Sequence, residues 1–219
     1  MRKRYKIGLI IVSVLLVGVI AIGVMSIFFG GEEEDRDANV SSIISNIADY
    51  GYTLDDRDSS YMKETFDELE TILSETEVDY HAYAEVLAKL FVIDFYTLDN
   101  KINKYDVGSL EYIYSEQVDM FRQKAVDTVY RDILDNTYRD RVQDLPEITN
   151  VTILNLSDTT YTLNEEEVEA IMVTMNYEYQ EDLGYDTEGT IYFVRNANKL
   201  EVVSYTPSIE ENADEALEE

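Results

Sequence analysis

From Ile7 to Phe29 the chain carries no charged residue, and this run lies between Arg2, Lys3, Arg4 and Lys6 on one side and Glu32, Glu33, Glu34 and Asp35 on the other. An apolar helix of about 20 residues is the length that crosses a bilayer core of roughly 30 Å, and the cationic flank of such a helix stays in the cytoplasm. The run therefore reads as one transmembrane helix, residues 7–29, behind a cytoplasmic stub, residues 1–6. Everything after it is expected outside the cell membrane. A cleaved signal peptide is the competing reading, but its apolar stretch is usually about 7 to 15 residues and ends in a small-x-small site. Here Val24-Met25-Ser26 is a poor substitute for such a site. A buried core helix with apolar residues on every face would need protein all around it, which does not suit a chain terminus.

The formal net charge is −29, with a single histidine and no cysteine. Such an acid excess argues against nucleic acid, whose binding is led by Lys and Arg on phosphates, and against anionic lipid surfaces. Basic partners or cations are welcome electrostatically. Without disulfides, an exported domain must hold by packing alone.

Residues 30–39 read as an acidic spacer, residues 40–206 as one extracytoplasmic domain, and residues 207–219, acid-rich and without a base, as a disordered tail. Within the domain, Ile43, Ile44 and Ile47 at helical spacing predict a helix over 40–50. Met62, Phe66, Leu69 and Leu73 predict a second helix over 60–74. The third, 79–98, is the most apolar segment after the anchor and is expected at the centre. A polar loop, Asp99 to Gly108, and a short aromatic piece, Leu110 to Tyr114, lead to a fourth helix over 115–135.

After Pro146 the period changes to that of strands. Residues 169–179 alternate cleanly, with Ile171, Val173, Met175, Tyr177 and Tyr179 on one face. Further strands are expected over 187–194 and 200–205, with a first over 148–156 whose change of face near Ile153 and Leu154 marks a bulge. The fold class is α+β: an N-terminal transmembrane helix, then helices packed on a curved four-stranded antiparallel sheet.

This order, together with the stretch FVIDFYTLDNKINKYDVGSLEYIY that joins the central helix to the next, resembles the NTF2-like (cystatin-like cone) superfamily. It is similar in particular to exported domains of single-pass Gram-positive membrane proteins, some of them VirB8-like or TcpC-like parts of conjugation machinery. The resemblance spans about residues 60–206. It implies a cone-shaped domain held outside the membrane.

Asp94 stands out because it falls within the apolar stripe of the central helix, where an ionised carboxylate must find a partner or raise its pKa. Arg122 sits similarly between Val118, Phe121, Ala125 and Val129, so a partly buried Asp94–Arg122 ion pair is expected. A carboxylate bonded to loop backbone near Gly108 is the alternative. Asp94, Arg122, Phe91, Phe95 and Tyr112 together form the candidate binding pocket. No metal site is expected, since a lone His81 has no cysteine to join it, and neither Asp55, Asp56 and Asp58 nor Asp99, Asn103 and Asp106 match a calcium loop. No nucleophile, phosphate-loop or dinucleotide motif appears, and no cofactor is expected. The 18 tyrosines offer either a contact surface or the margin of a core.

The preferred expectation is a non-enzymatic, membrane-anchored accessory protein that docks onto other envelope proteins, as in a transfer or secretion assembly. A small-ligand-binding cone lined by Phe91, Phe95 and Tyr112 is the first alternative. A cone-type enzyme using Asp94 is the second. With six residues ahead of the run, no cytoplasmic activity is expected.

Overall fold

The alternating residues 169–179 lie in the second strand of a four-stranded antiparallel meander, in which each strand pairs with its sequence neighbour. The computed structural model describes residues 38–207; the apolar run, the spacer before residue 38 and the acidic tail fall outside them. Among the described residues the fold is α+β, with three α-helices and this sheet. Its strands are β3 (Ile148–Leu163), β4 (Glu166–Tyr179), β5 (Glu188–Asn196) and β6 (Lys199–Pro207). Asn164 and Glu165, both at positive φ, close the β3–β4 hairpin as a two-residue turn whose twist matches that of the strands. The bulge expected near Ile153 and Leu154 is there: the register of β3 slips between Ile153 and Asn155, and Leu154 turns outward.

Ahead of the sheet come β1 (Ile43–Ile47), β2 (Tyr52–Asp55), α1 (Ser60–Leu73), α2 (Tyr80–Tyr96) and α3 (Val118–Asp127). The helix expected over 40–50 is instead the β1–β2 hairpin, turned by Gly51 at φ 70°. Three isoleucines in so short a segment favour strand over helix, because β-branched chains lose rotamer freedom in a helix and a short helix is marginal alone. Pairing also lets β2 alternate, sending Tyr52 and Leu54 into the core.

Asp79 caps α2 by accepting from the His81 and Ala82 amides at 2.9 and 3.2 Å. Eleven of the 17 residues of α2 are buried, so this helix is the centre of the core rather than a surface layer. It meets Val173, Met175, Tyr177, Ile191, Phe193 and Val202 within one apolar cluster. α3 is shorter than expected and ends at Asp127. The chain turns there and carries Tyr130 inward, where its hydroxyl donates to the Phe95 carbonyl at 2.7 Å and accepts from the Gly108 amide at 3.1 Å. The piece at Leu110–Tyr112 is a 3₁₀ turn, after which Ile113 bridges to Val202 on β6.

Candidate functional site

Because α2 stops at Tyr96, the chain doubles back and brings Lys101 against Asp94. The ammonium lies 2.6 Å from one carboxylate oxygen. The other oxygen accepts from the Ser109 amide, and the Ser109 hydroxyl in turn donates to the Phe91 carbonyl at 2.7 Å. Side-chain exposures of 6% for Lys101 and 18% for Asp94 make this a buried pair. The alternative of loop backbone near Gly108 is therefore what the fold adopts, with Lys101 added. The expected Asp94–Arg122 pair does not form. Arg122 points outward from α3 and pairs with Asp119, one turn away, at 2.9 Å.

A second cation clamps the same loop from the β2 side. Arg57 donates to the Asn100 carbonyl and to Asp106, both at 2.8 Å, and reaches Asp55 at 3.3 Å. Arg141 donates to the carbonyls of Lys101 and Asp99. Loop 97–112 is thus held from three directions, and its polar sequence is spent on internal partners. Asp55, Asp58 and Asp106 turn inward onto Arg57, Asn100 and backbone amides. Among the described residues no group of three or more His, Cys, Asp or Glu is placed to hold a metal ion.

Between this loop and the β1–β2 hairpin lies a cavity of about 270 Å³, lined among others by Arg57, Asp58, Asp94, Lys101 and Glu111. Burial pushes the Asp58 carboxyl up to about 6, with the Asp94 charge adding to it. Burial also pushes Glu111 up to about 6 against three bonds from Thr53. For Lys101, burial opposes the charge, yet the Asp94 carboxylate outweighs it and the pKa stands above the ordinary lysine value. Asp106 is lowered: burial opposes its charge too, but the Arg57 guanidinium prevails.

These shifts predict a sign for pH. A carboxyl whose folded pKa is raised contributes stability that is complete below its unfolded pKa and lost as pH rises through the folded one. Asp58 and Glu111 should therefore each withdraw on the order of 2 kcal/mol as pH climbs from about 4 to about 7. Asp106, with a lowered pKa, acts oppositely, and its contribution disappears only in more acidic solution. Urea unfolding across that range should show stability falling with pH, and Glu111→Gln should flatten the slope; a rising slope would refute the assignment.

Phe91, Phe95 and Tyr112 do not line this cavity. Phe91 and Phe95 stack on each other at 5.8 Å and pack against Phe121 and Tyr205. Tyr112 is fully buried. Of the five expected pocket residues, only Asp94 reaches the wall. Sequence reasoning missed Lys101, Arg57 and Glu111. Lys101 carried one usable signal: a turn-rich stretch after the end of α2 returns a cation towards the last helical turn.

The space between α2 and the sheet is filled by rings. Hydroxyls of Tyr177, Tyr205 and Tyr96 form a chain at 2.8 and 3.0 Å that ends near the Asp186 carboxylate. Tyr52 and Tyr83 share a further hydroxyl contact at 2.5 Å. A surface groove of about 600 Å³ opens at the other end of α2, bordered by Tyr80, Asp158, Ile171, Phe193 and Arg195. Arg195 lies over the Tyr80 ring at 4.0 Å, and His81 bonds Asp158 at 2.8 Å beside it.

Comparison with protein families, with curated proteins and with solved structures finds no match for this chain. Among the described residues no helix is long and apolar enough to cross a membrane, and residues 7–29 lie outside them.

Proposed function

We propose that this chain is a membrane-anchored extracytoplasmic accessory protein whose NTF2-like domain works by docking onto other envelope proteins. The observation that carries this reading is the filled interior. Where a ligand-binding cone would be hollow, Phe91, Phe95, Tyr96, Tyr177 and Tyr205 pack together and satisfy the tyrosine hydroxyls among themselves. Helices covering one face of a four-stranded meander support the NTF2-like assignment, and the apolar run between oppositely charged flanks supports the anchor. Asp94, the residue an enzymatic reading would use, has both oxygens engaged by Lys101 and Ser109.

The test is photo-crosslinking in intact cells, with the crosslinker placed in turn at exposed Leu154, Met120 and Tyr138 of the full chain. Docking predicts discrete adducts with envelope proteins from one side of the domain only. Absence of adducts from every position would refute it. A second reading, uptake of a small ligand, is favoured by the groove of about 600 Å³ beside Tyr80. A small molecule retained by the purified chain and displaced on changing Phe193 would establish that reading instead.

A further inference from the structure

The two halves of β3 are treated differently by the rest of the fold. Over its first half, the side of β3 facing away from β4 is capped: the Ile148 amide donates to the Thr97 hydroxyl at 3.2 Å, and the Val151 amide to the Tyr61 hydroxyl at 3.1 Å. Past the bulge at Leu154 no such cap is found among the described residues. β3 is the first strand of the sheet order, and among the described residues no strand lies on its outer side.

The turn at Asn164 and Glu165 decides which backbone groups are left over. A two-residue hairpin turn is closed by a hydrogen-bonded pair, here Leu163 with Glu166, and hydrogen-bonded pairs then alternate along the ladder. Thr159 with Ala170 and Ser157 with Met172 belong to that set. The amides and carbonyls of Leu156, Asp158, Thr160 and Thr162 therefore point away from β4. Beyond Ala170, β4 has no pairing with β5 either, so the last residues of the hairpin form a two-stranded arm.

Exposed edges are normally blunted by lysine, proline or a bulge, because a bare one templates another strand. From Asn155 to Leu163 this edge has none of these. What it does have is one sign of charge. No Lys or Arg occurs between Arg141 and Arg195, while Asp158, bonded to His81, lies on the edge and Glu165, Glu166, Glu167 and Glu169 lie on the arm. A second copy laid along the same edge would bring a second hairpin of the same acidic sign alongside the first, and like charges repel. A cationic strand would be drawn in and then held by main-chain bonds.

We propose that the outer edge of β3, from Leu156 to Thr162, is a strand-addition site for an extended, lysine- or arginine-bearing segment of another protein. This rests on the docking reading above and names the surface and the kind of partner it uses.

The probe is a peptide of alternating lysine and threonine, offered to the full-length chain in detergent micelles. Its control is the same peptide N-methylated at every amide, which keeps every charge and side chain but can pair through neither edge. The expected result is binding of the first peptide only, with amide exchange slowed at Leu156, Asp158, Thr160 and Thr162. Thr160→Pro removes an outward amide and leaves the β4 ladder intact, and it should weaken binding about tenfold. Equal binding of the methylated peptide would reduce the effect to charge alone and overturn the proposal. So would edge-to-edge pairing of two copies, or unchanged amide exchange on saturation. In cells, adducts that persist unchanged in Thr160→Pro would remove this site while leaving docking in place; loss of adducts from all positions in the unaltered chain would remove both.

Discussion

Lys101→Met is expected to lower the stability of the domain by about 3–5 kcal/mol, because it removes one partner of a buried ion pair and leaves the other charged. Asp94 would keep the Ser109 amide but lose the ammonium 2.6 Å away, with 18% exposure to recover solvation. The alkyl stem of the replacement fills most of the lysine volume, so the loss reads charge rather than a hole. Burying both ions costs solvation, so restoring neutrality should return much of what the single change removes. Asp94→Asn combined with Lys101→Met is therefore expected to be more stable than Lys101→Met alone. Urea unfolding followed by tyrosine fluorescence would measure both. A loss under about 1 kcal/mol for Lys101→Met, the range of exposed pairs, would mean that the pair is solvated in solution.

The elements that sequence reading captured are those whose apolar period is long and uninterrupted. α1, α2 and β4 carry such patterns, and their predicted bounds fall close to the observed ones. The bulge in β3 was visible because a change of face has no other economical cause. The helix expected over 40–50 rested on Ile43, Ile44 and Ile47, whose spacing fits a helix better than a strand, and the hairpin is favoured instead by Tyr52 and Leu54, which the partner strand buries. The pairing of Asp94 was half legible. A carboxylate in an apolar stripe demands a partner, but the partner's identity depends on where α2 ends and how tightly the loop returns. The stripe Val118, Phe121, Ala125 and Val129 does pack inward, but Arg122 lies beside it rather than within it and is half exposed. The stretch FVIDFYTLDNKINKYDVGSLEYIY builds the ion-paired loop and its cavity. Its polar residues make a dense set of internal bonds, which by itself does not indicate catalysis.

Gly108→Ala should cost about 3 kcal/mol, the upper part of the usual range for overpacking. The reason is space. A Cβ on Gly108 would lie 2.5 Å from the Asp94 carbonyl oxygen and 2.6 Å from its carboxylate, distances no carbon tolerates. Neither atom is free to retreat: the carbonyl belongs to the last turn of α2, and the carboxylate is fixed by Lys101 and Ser109. The Gly108 amide is also committed, to the Tyr130 hydroxyl, which in turn bonds the Phe95 carbonyl. A methyl group must therefore push the loop off the helix or the carboxylate off its lysine. Either movement spends part of the energy that Lys101→Met removes, so the two changes should not add. Their combined loss is expected to fall short of the sum by about 1–2 kcal/mol, as for residues sharing one network. Full additivity would mean that Gly108 and the Asp94–Lys101 pair are supported independently and that the loop is not held as one unit.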